Sequence, residues 1–103
     1  MEKMTQREIG HLIQEMKQGS EAAFEILYET YMPFIFSIAF KLLKKRQEAE
    51  DVCHEIFLEF LKHPERYDPQ RGSLESWLAI KTKSKCLDIL RSQKKRALNY
   101  SLD

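Results

Sequence analysis

Ala49-Glu50-Asp51-Val52-Cys53-His54-Glu55-Ile56-Phe57-Leu58 is the stretch whose reading decides the fold. At roughly 100° per residue, Ala49, Val52, Cys53, Ile56, Phe57 and, a little further on, Phe60 fall within an arc of about 140°, the width of a core-facing helical stripe. Asp51, His54, Glu55 and Lys62 fall on the opposite side. Leu58 stands among them, about 180° from Ala49. A single exposed leucine is ordinary. A leucine ringed by Asp51 and Glu55 on the polar face of an otherwise well-patterned helix has the make-up of a docking patch for a basic partner.

Outward from this helix, the composition supports an all-α fold. The chain has 103 residues, enough for one domain with a modest core. Its 43% hydrophobic content with only 3 Gly and 3 Pro favours packed helices over disorder or a β-sandwich. Two cysteines, Cys53 and Cys86, make no disulfide framework and read as small buried residues in a reducing cytoplasm. No uninterrupted apolar run approaches the ~18 residues of a membrane span, so no membrane partner is expected. The net charge of +1 hides a division. Residues 1–61 hold 7 Lys/Arg against 11 Asp/Glu, and residues 62–96 hold 10 against 4. The acidic part suits a basic protein surface, and the basic part suits a nucleic acid.

Four helices are expected. The first spans about Thr5 to Lys17, with Ile9, Leu12, Ile13 and Met16 at helical spacing and a Thr5/Glu8 capping box. Gly19 ends it and Ser20 caps the next. The second begins near Glu21 and carries a long apolar stripe from Phe24 to Leu43. Pro33 is expected to bend it near Tyr31–Met32 without ending it. Lys44-Lys45-Arg46 closes it. The third runs from about Gln47 to Lys62, and His63-Pro64 stops it. Residues 64–73 are a proline- and glycine-shaped loop. The fourth runs from Leu74 to about Arg96, with Leu78, Ile80, Cys86, Leu87, Ile89 and Leu90 facing inward. Trp77 opens a polar face on which Lys81, Ser84, Lys85, Asp88 and Arg91 lie within about 80° of it. The expected architecture is a helical bundle in which three helices pack antiparallel and the first lies across them.

Three groups of residues stand in a characteristic order and spacing. The first is Leu27-Tyr28-x-x-Tyr31-x-Pro33-x-Ile35 with Ala39 and Leu42-Leu43. The second is Glu50-Asp51-Val52-x-x-Glu55-x-Phe57. The third is Trp77-Leu78 followed by Asp88, Leu90 and Arg91. Together they resemble region 2 of the sigma-70 family of transcription initiation factors, of the extracytoplasmic-function type, and the resemblance covers residues 20–96. His54 stands where the family usually has Gln, and Lys81 and Ser84 stand where it usually has Ile and Asn.

The resemblance implies binding to core RNA polymerase, on the clamp helices of its largest subunit, through Asp51, His54, Glu55 and Leu58. It also implies capture of the non-template strand of the promoter −10 element as the duplex melts. The loop from Arg66 to Ser73 would receive a flipped base, with Arg66, Tyr67, Arg71, Gly72 and Ser73 as its DNA-binding residues. Trp77, Lys81, Ser84, Lys85 and Arg91 would wall the strand. The chemistry of single-strand binding agrees, since it needs cations for phosphates and planar groups for bases, and Tyr67 and Trp77 supply planes. Trp77 has a second reading, as a core anchor under the loop. An anti-sigma factor is a further partner class left open.

No catalytic set, metal-ligand spacing or phosphate loop is present, so neither an enzyme nor a cofactor is expected. Residues 1–97 read as the domain and 98–103 as the start of an interdomain linker. The chain is read either as a piece of a longer factor or as a natural stub. The alternative function is a helical protein-interaction or DNA-binding regulatory module unconnected with polymerase. A helix-turn-helix is disfavoured because the 64–73 loop is too long for its turn.

Overall fold

Three of the four α-helices open at the hydroxyl residues the sequence marks. In the computed structural model, which describes residues 4–102, Thr5 Oγ1 accepts from Glu8 N and starts α1 (Gln6–Lys17). Ser20 Oγ accepts from Ala23 N and starts α2 (Glu21–Leu43), after Gly19 has turned the chain at φ 95°. Ser73 Oγ accepts from Ser76 N ahead of α4 (Leu74–Leu102). Each such bond satisfies an amide that the helix itself cannot, worth ~1 kcal/mol. The exception is α3 (Arg46–Lys62), whose first residue is tied instead by Arg46 Nε to Glu50 at 3.0 Å.

The α2–α3 reversal is tight. Lys44 takes the left-handed conformation, φ 62°, and its N–H bonds Phe40 O at 2.8 Å. Arg46 therefore opens α3 rather than closing α2, and the turn folds the two helices back on each other. Pro33 sits within an uninterrupted α2, as its in-phase stripe implies.

The core is a set of matched rows. On α2, Ala23, Leu27, Tyr31, Ile35, Ala39 and Leu43 are buried at every fourth position. On α3, the six residues of the predicted stripe, Ala49 to Phe60, are all buried. On α4, Leu74, Leu78, Thr82 and Cys86 repeat the four-residue spacing. Thr82 is accommodated because its hydroxyl donates to Leu78 O at 2.7 Å. α2 is the hub, in contact with α1, α3 and α4. The described residues form helices and turns only.

Three expectations are corrected. Ile80 and Leu87 do not face inward; they are 68% and 43% exposed. Ile80 lies about 200° from Leu78 on the helix, so the two cannot share a face, and Leu87 is one step off the row through Cys86. α4 does not stop near Arg96. Ala97 and Leu98 are good helix formers with no glycine or proline to break the run, and it continues to Leu102, giving the molecule a longest extent of 54 Å against 27 × 25 Å. Finally, α2 is long and apolar enough to cross a membrane by length and mean hydropathy, 1.3 over its best window. No unbroken apolar run is that long because Glu29 and Lys41 interrupt it, without lowering the average enough. The apolar excess has a structural use: α2 is the helix against which the other three pack.

Candidate nucleic-acid and protein interfaces

Burial of its apolar stripe leaves α3 presenting Asp51, His54, Glu55 and Leu58 outward, Leu58 being 50% exposed. The polar members are held. Asp51 Oδ1 accepts from Gln47 Nε2 at 3.0 Å, one turn back. The His54 ring stacks on Tyr28 of α2, centroids 6.2 Å apart at 27°. Glu55 Oε2 lies 3.0 Å from Lys85 Nζ on α4, and this hydrogen bond raises the lysine pKa above its ordinary range. A groove of ≈ 400 Å³ runs between the two helices, with Leu58 and Lys62 on one side and Lys85 on the other.

The loop builds a second concavity. A single 3₁₀ turn, Pro64–Arg66, follows α3. Tyr67 then plunges inward and is only 6% exposed. Its hydroxyl donates to Gly72 O at 2.9 Å and accepts from Gln6 Nε2 at 3.3 Å, so α1 braces the loop from behind. Its ring meets Trp77 edge-on, 6.0 Å between centroids. Tyr67 therefore does not offer the open plane that the sequence suggests. It forms the floor of a recess of ≈ 270 Å³ that also takes in Arg66, Arg71, Gly72, Ser73 and Trp77. Trp77 packs against the core, its ring centroid 5.9 Å from that of Phe60, as the core-anchor reading expects, and it also lines the recess.

The fourth helix carries the remaining residues away from the recess. Lys81 Nζ lies 5.3 Å from the Trp77 ring centroid, a cation–π arrangement. Ser84, Lys85 and Arg91 follow along the exposed side, Arg91 paired with Asp88 at 3.1 Å. None of these three lines the recess, and Lys85 lies in the α3–α4 groove instead.

Three residues near these sites lie outside the sequence-derived set. Glu59, one turn beyond Glu55, receives Arg66 at 2.7 Å and Lys81 at 3.7 Å, joining loop and α4 through α3. Its position on the acidic side of α3 was the available signal. Ser76 and Ile80 line the recess together with Asp68 of the 66–73 loop, and nothing in their spacing singled out Ser76 or Ile80.

Residues 27–96 match the family described as Sigma-70 region 2. The chain belongs to that family. Similar proteins are the ECF RNA polymerase sigma factors SigW and SigX of Bacillus subtilis (strain 168) and SigK of Mycolicibacterium vanbaalenii. SigW is 26% identical over 91 residues, covering 88% of this chain and 46% of SigW. SigX is 26% identical over 73 residues, 71% of this chain and 37% of SigX. SigK is 23% identical over 86 residues, 84% of this chain and 44% of SigK. The chain spans less than half the length of these relatives. All three of these relatives carry the name of ECF sigma factors, at 26% identity or less.

Proposed function

We propose that this region 2 domain is a transcription initiation module that binds core RNA polymerase through the outer face of α3 and holds the non-template strand of a promoter −10 element along the 66–73 loop and α4. The observation that carries the reading is the recess: Trp77 and the buried Tyr67 give it an aromatic lining, and Arg66 and Arg71 stand at its edge. Single strands are bound by this combination of base stacking and phosphate charge. A loop that receives an unstacked base must offset a few kcal/mol of unstacking with such contacts. The α3 face supports the other half of the reading, with an exposed leucine inside a charged rim, the anatomy of a small interface core. This role places the domain in the cytoplasm, with the transcription machinery.

Capture of core polymerase by the 103-residue chain tests the proposal. Asp51→Arg sets a cation against a basic partner surface and is expected to abolish capture, since like charges across an interface cost several kcal/mol. Leu58→Ala is expected to weaken it about tenfold or more, as for an interface anchor. Both positions are exposed, so circular dichroism should show unchanged folding. Capture of both variants at the parental level would refute the assignment of this face.

A further inference from the structure

Among the residues that line the recess, one is out of keeping with a site for a polyanion. Asp68 is the sole carboxylate among them, half-exposed beside Arg66, Arg71, Ser73 and Trp77. Part of its role is local. Asp68 Oδ1 accepts from Gln70 N at 2.9 Å, and Asp68 O accepts from Arg71 N at 3.0 Å, which shapes the turn. That accounts for one oxygen. A carboxylate has about four acceptor positions. Among the described residues Oδ2 has Arg71 Nε at 3.7 Å, an ion-pair distance too long for a hydrogen bond. Bringing phosphates past an acid costs affinity, so a carboxylate here acts against general strand binding. It acts in favour of a ligand that brings hydrogen-bond donors.

We infer that Asp68 selects the base lodged in the recess, accepting a hydrogen bond from an exocyclic amino group and so favouring adenine, cytosine or guanine over thymine. Carboxylates read nucleobases by accepting from amino groups, as Asp and Glu do from cytosine N4. Thymine presents no amino group, and its one ring N–H lies between two carbonyl oxygens that face the carboxylate with like partial charge. The aromatic and aliphatic lining does not discriminate in this way, since Tyr67 donates its hydroxyl to Gly72 and Trp77 and Ile80 offer apolar surface to any base; the Ser73 and Ser76 hydroxyls can both donate and accept, whereas the Asp68 carboxylate only accepts. The inference rests on the strand-holding half of the proposed function and adds to it the class of base held.

Trp77 is the only tryptophan in the chain and lines the recess, so its fluorescence reports occupancy there directly. The probes are four short DNA strands, each with a single base, dA, dC, dG or dT, at the centre of an otherwise abasic sugar–phosphate chain. At low salt the three amino-bearing probes are expected to bind about fivefold to tenfold more tightly than the dT probe. Asp68→Asn keeps an oxygen to accept from Gln70 N, and with it the turn, but removes the charge and adds an amide donor. It is expected to bring the four affinities within about twofold of one another while strengthening binding of the dT probe. Equal parental binding of all four, or the parental ratio surviving in Asp68→Asn, would overturn the inference and leave Asp68 as a turn residue. Binding of none of the probes would remove the strand-holding reading itself, and this inference with it.

Discussion

Single residues in this domain are placed by what their side chains can satisfy, and the two cysteines show the consequence for stability. Cys53 and Cys86 are both fully buried and free. Burial, with smaller contributions from Cys86 and Glu50, pushes the Cys53 thiol up to about 12, and burial raises Cys86 as well. Below pH 9 both the folded and the unfolded chain keep the Cys53 proton, and the group is neutral in its effect. Above pH 9 only the unfolded chain releases it, so the unfolded state binds fewer protons and stability falls as pH rises. The expected loss is about 1.4 kcal/mol per pH unit between 9 and the folded pKa, on the order of the linkage limit for one group. Urea midpoints measured from pH 8 to 11 should decline in the parent and decline less steeply in Cys53→Ala. Both cysteines were legible as buried from the apolar stripes they interrupt. The ring of Tyr67 was not, because an aromatic in a polar, proline-rich loop looks exposed until Gln6 and Gly72, distant from each other in sequence, are seen to share its hydroxyl.

At the scale of the element, helix boundaries were readable wherever a capping side chain fixed them, at Thr5, Ser20 and Ser73, and faces were readable wherever the spacing stayed helical, as along α3. α4 was less readable because its buried row passes through a threonine and its outer side carries Ile80 and Leu87, so hydrophobicity and burial part company there. The recess was legible as a loop with the right residue types, but its lining depends on how Trp77 and Tyr67 pack, which no local pattern specifies. α2 supports a prediction of its own. Pro33 is exposed within a continuous helix whose stripe stays in phase on both sides, so nothing in the core requires the proline. Pro33→Ala restores an amide able to bond Glu29 O and removes the ring from the preceding turn. It is expected to stabilise the domain by roughly 1–3 kcal/mol, within the ~3 kcal/mol range of proline penalties in helices. Urea unfolding reads this as a higher midpoint at unchanged slope. A lower midpoint would mean that packing of α2 depends on a local bend at Pro33.

The whole molecule brings together what the sequence divides. The acidic and basic parts of the chain suggest two separate surfaces, yet the fold sets them edge to edge: Glu55 meets Lys85 at 3.0 Å, and Glu59 meets Arg66 at 2.7 Å and Lys81 at 3.7 Å. Three of the cations proposed to meet a DNA strand therefore start out paired with acids of α3, the helix proposed to meet polymerase. A phosphate must displace those acids, and each exposed pair is worth ~0.2–1 kcal/mol. Replacing both acids, Glu55→Gln with Glu59→Gln, frees the three cations without changing the length of either side chain. Single-strand affinity at low salt is expected to rise about threefold to tenfold. The salt dependence should steepen too, because each additional phosphate contact adds about −0.7 to the slope of log affinity against log salt. The two proteins should converge at high salt, where screening weakens the ion pairs and the phosphate contacts alike. Titration of a labelled strand across a salt series measures both quantities at once. Unchanged affinity and slope would show that the pairs yield to phosphate at no cost and that the two surfaces act independently. A steeper slope with higher affinity would show that Glu55 and Glu59 hold back cations that otherwise reach phosphate.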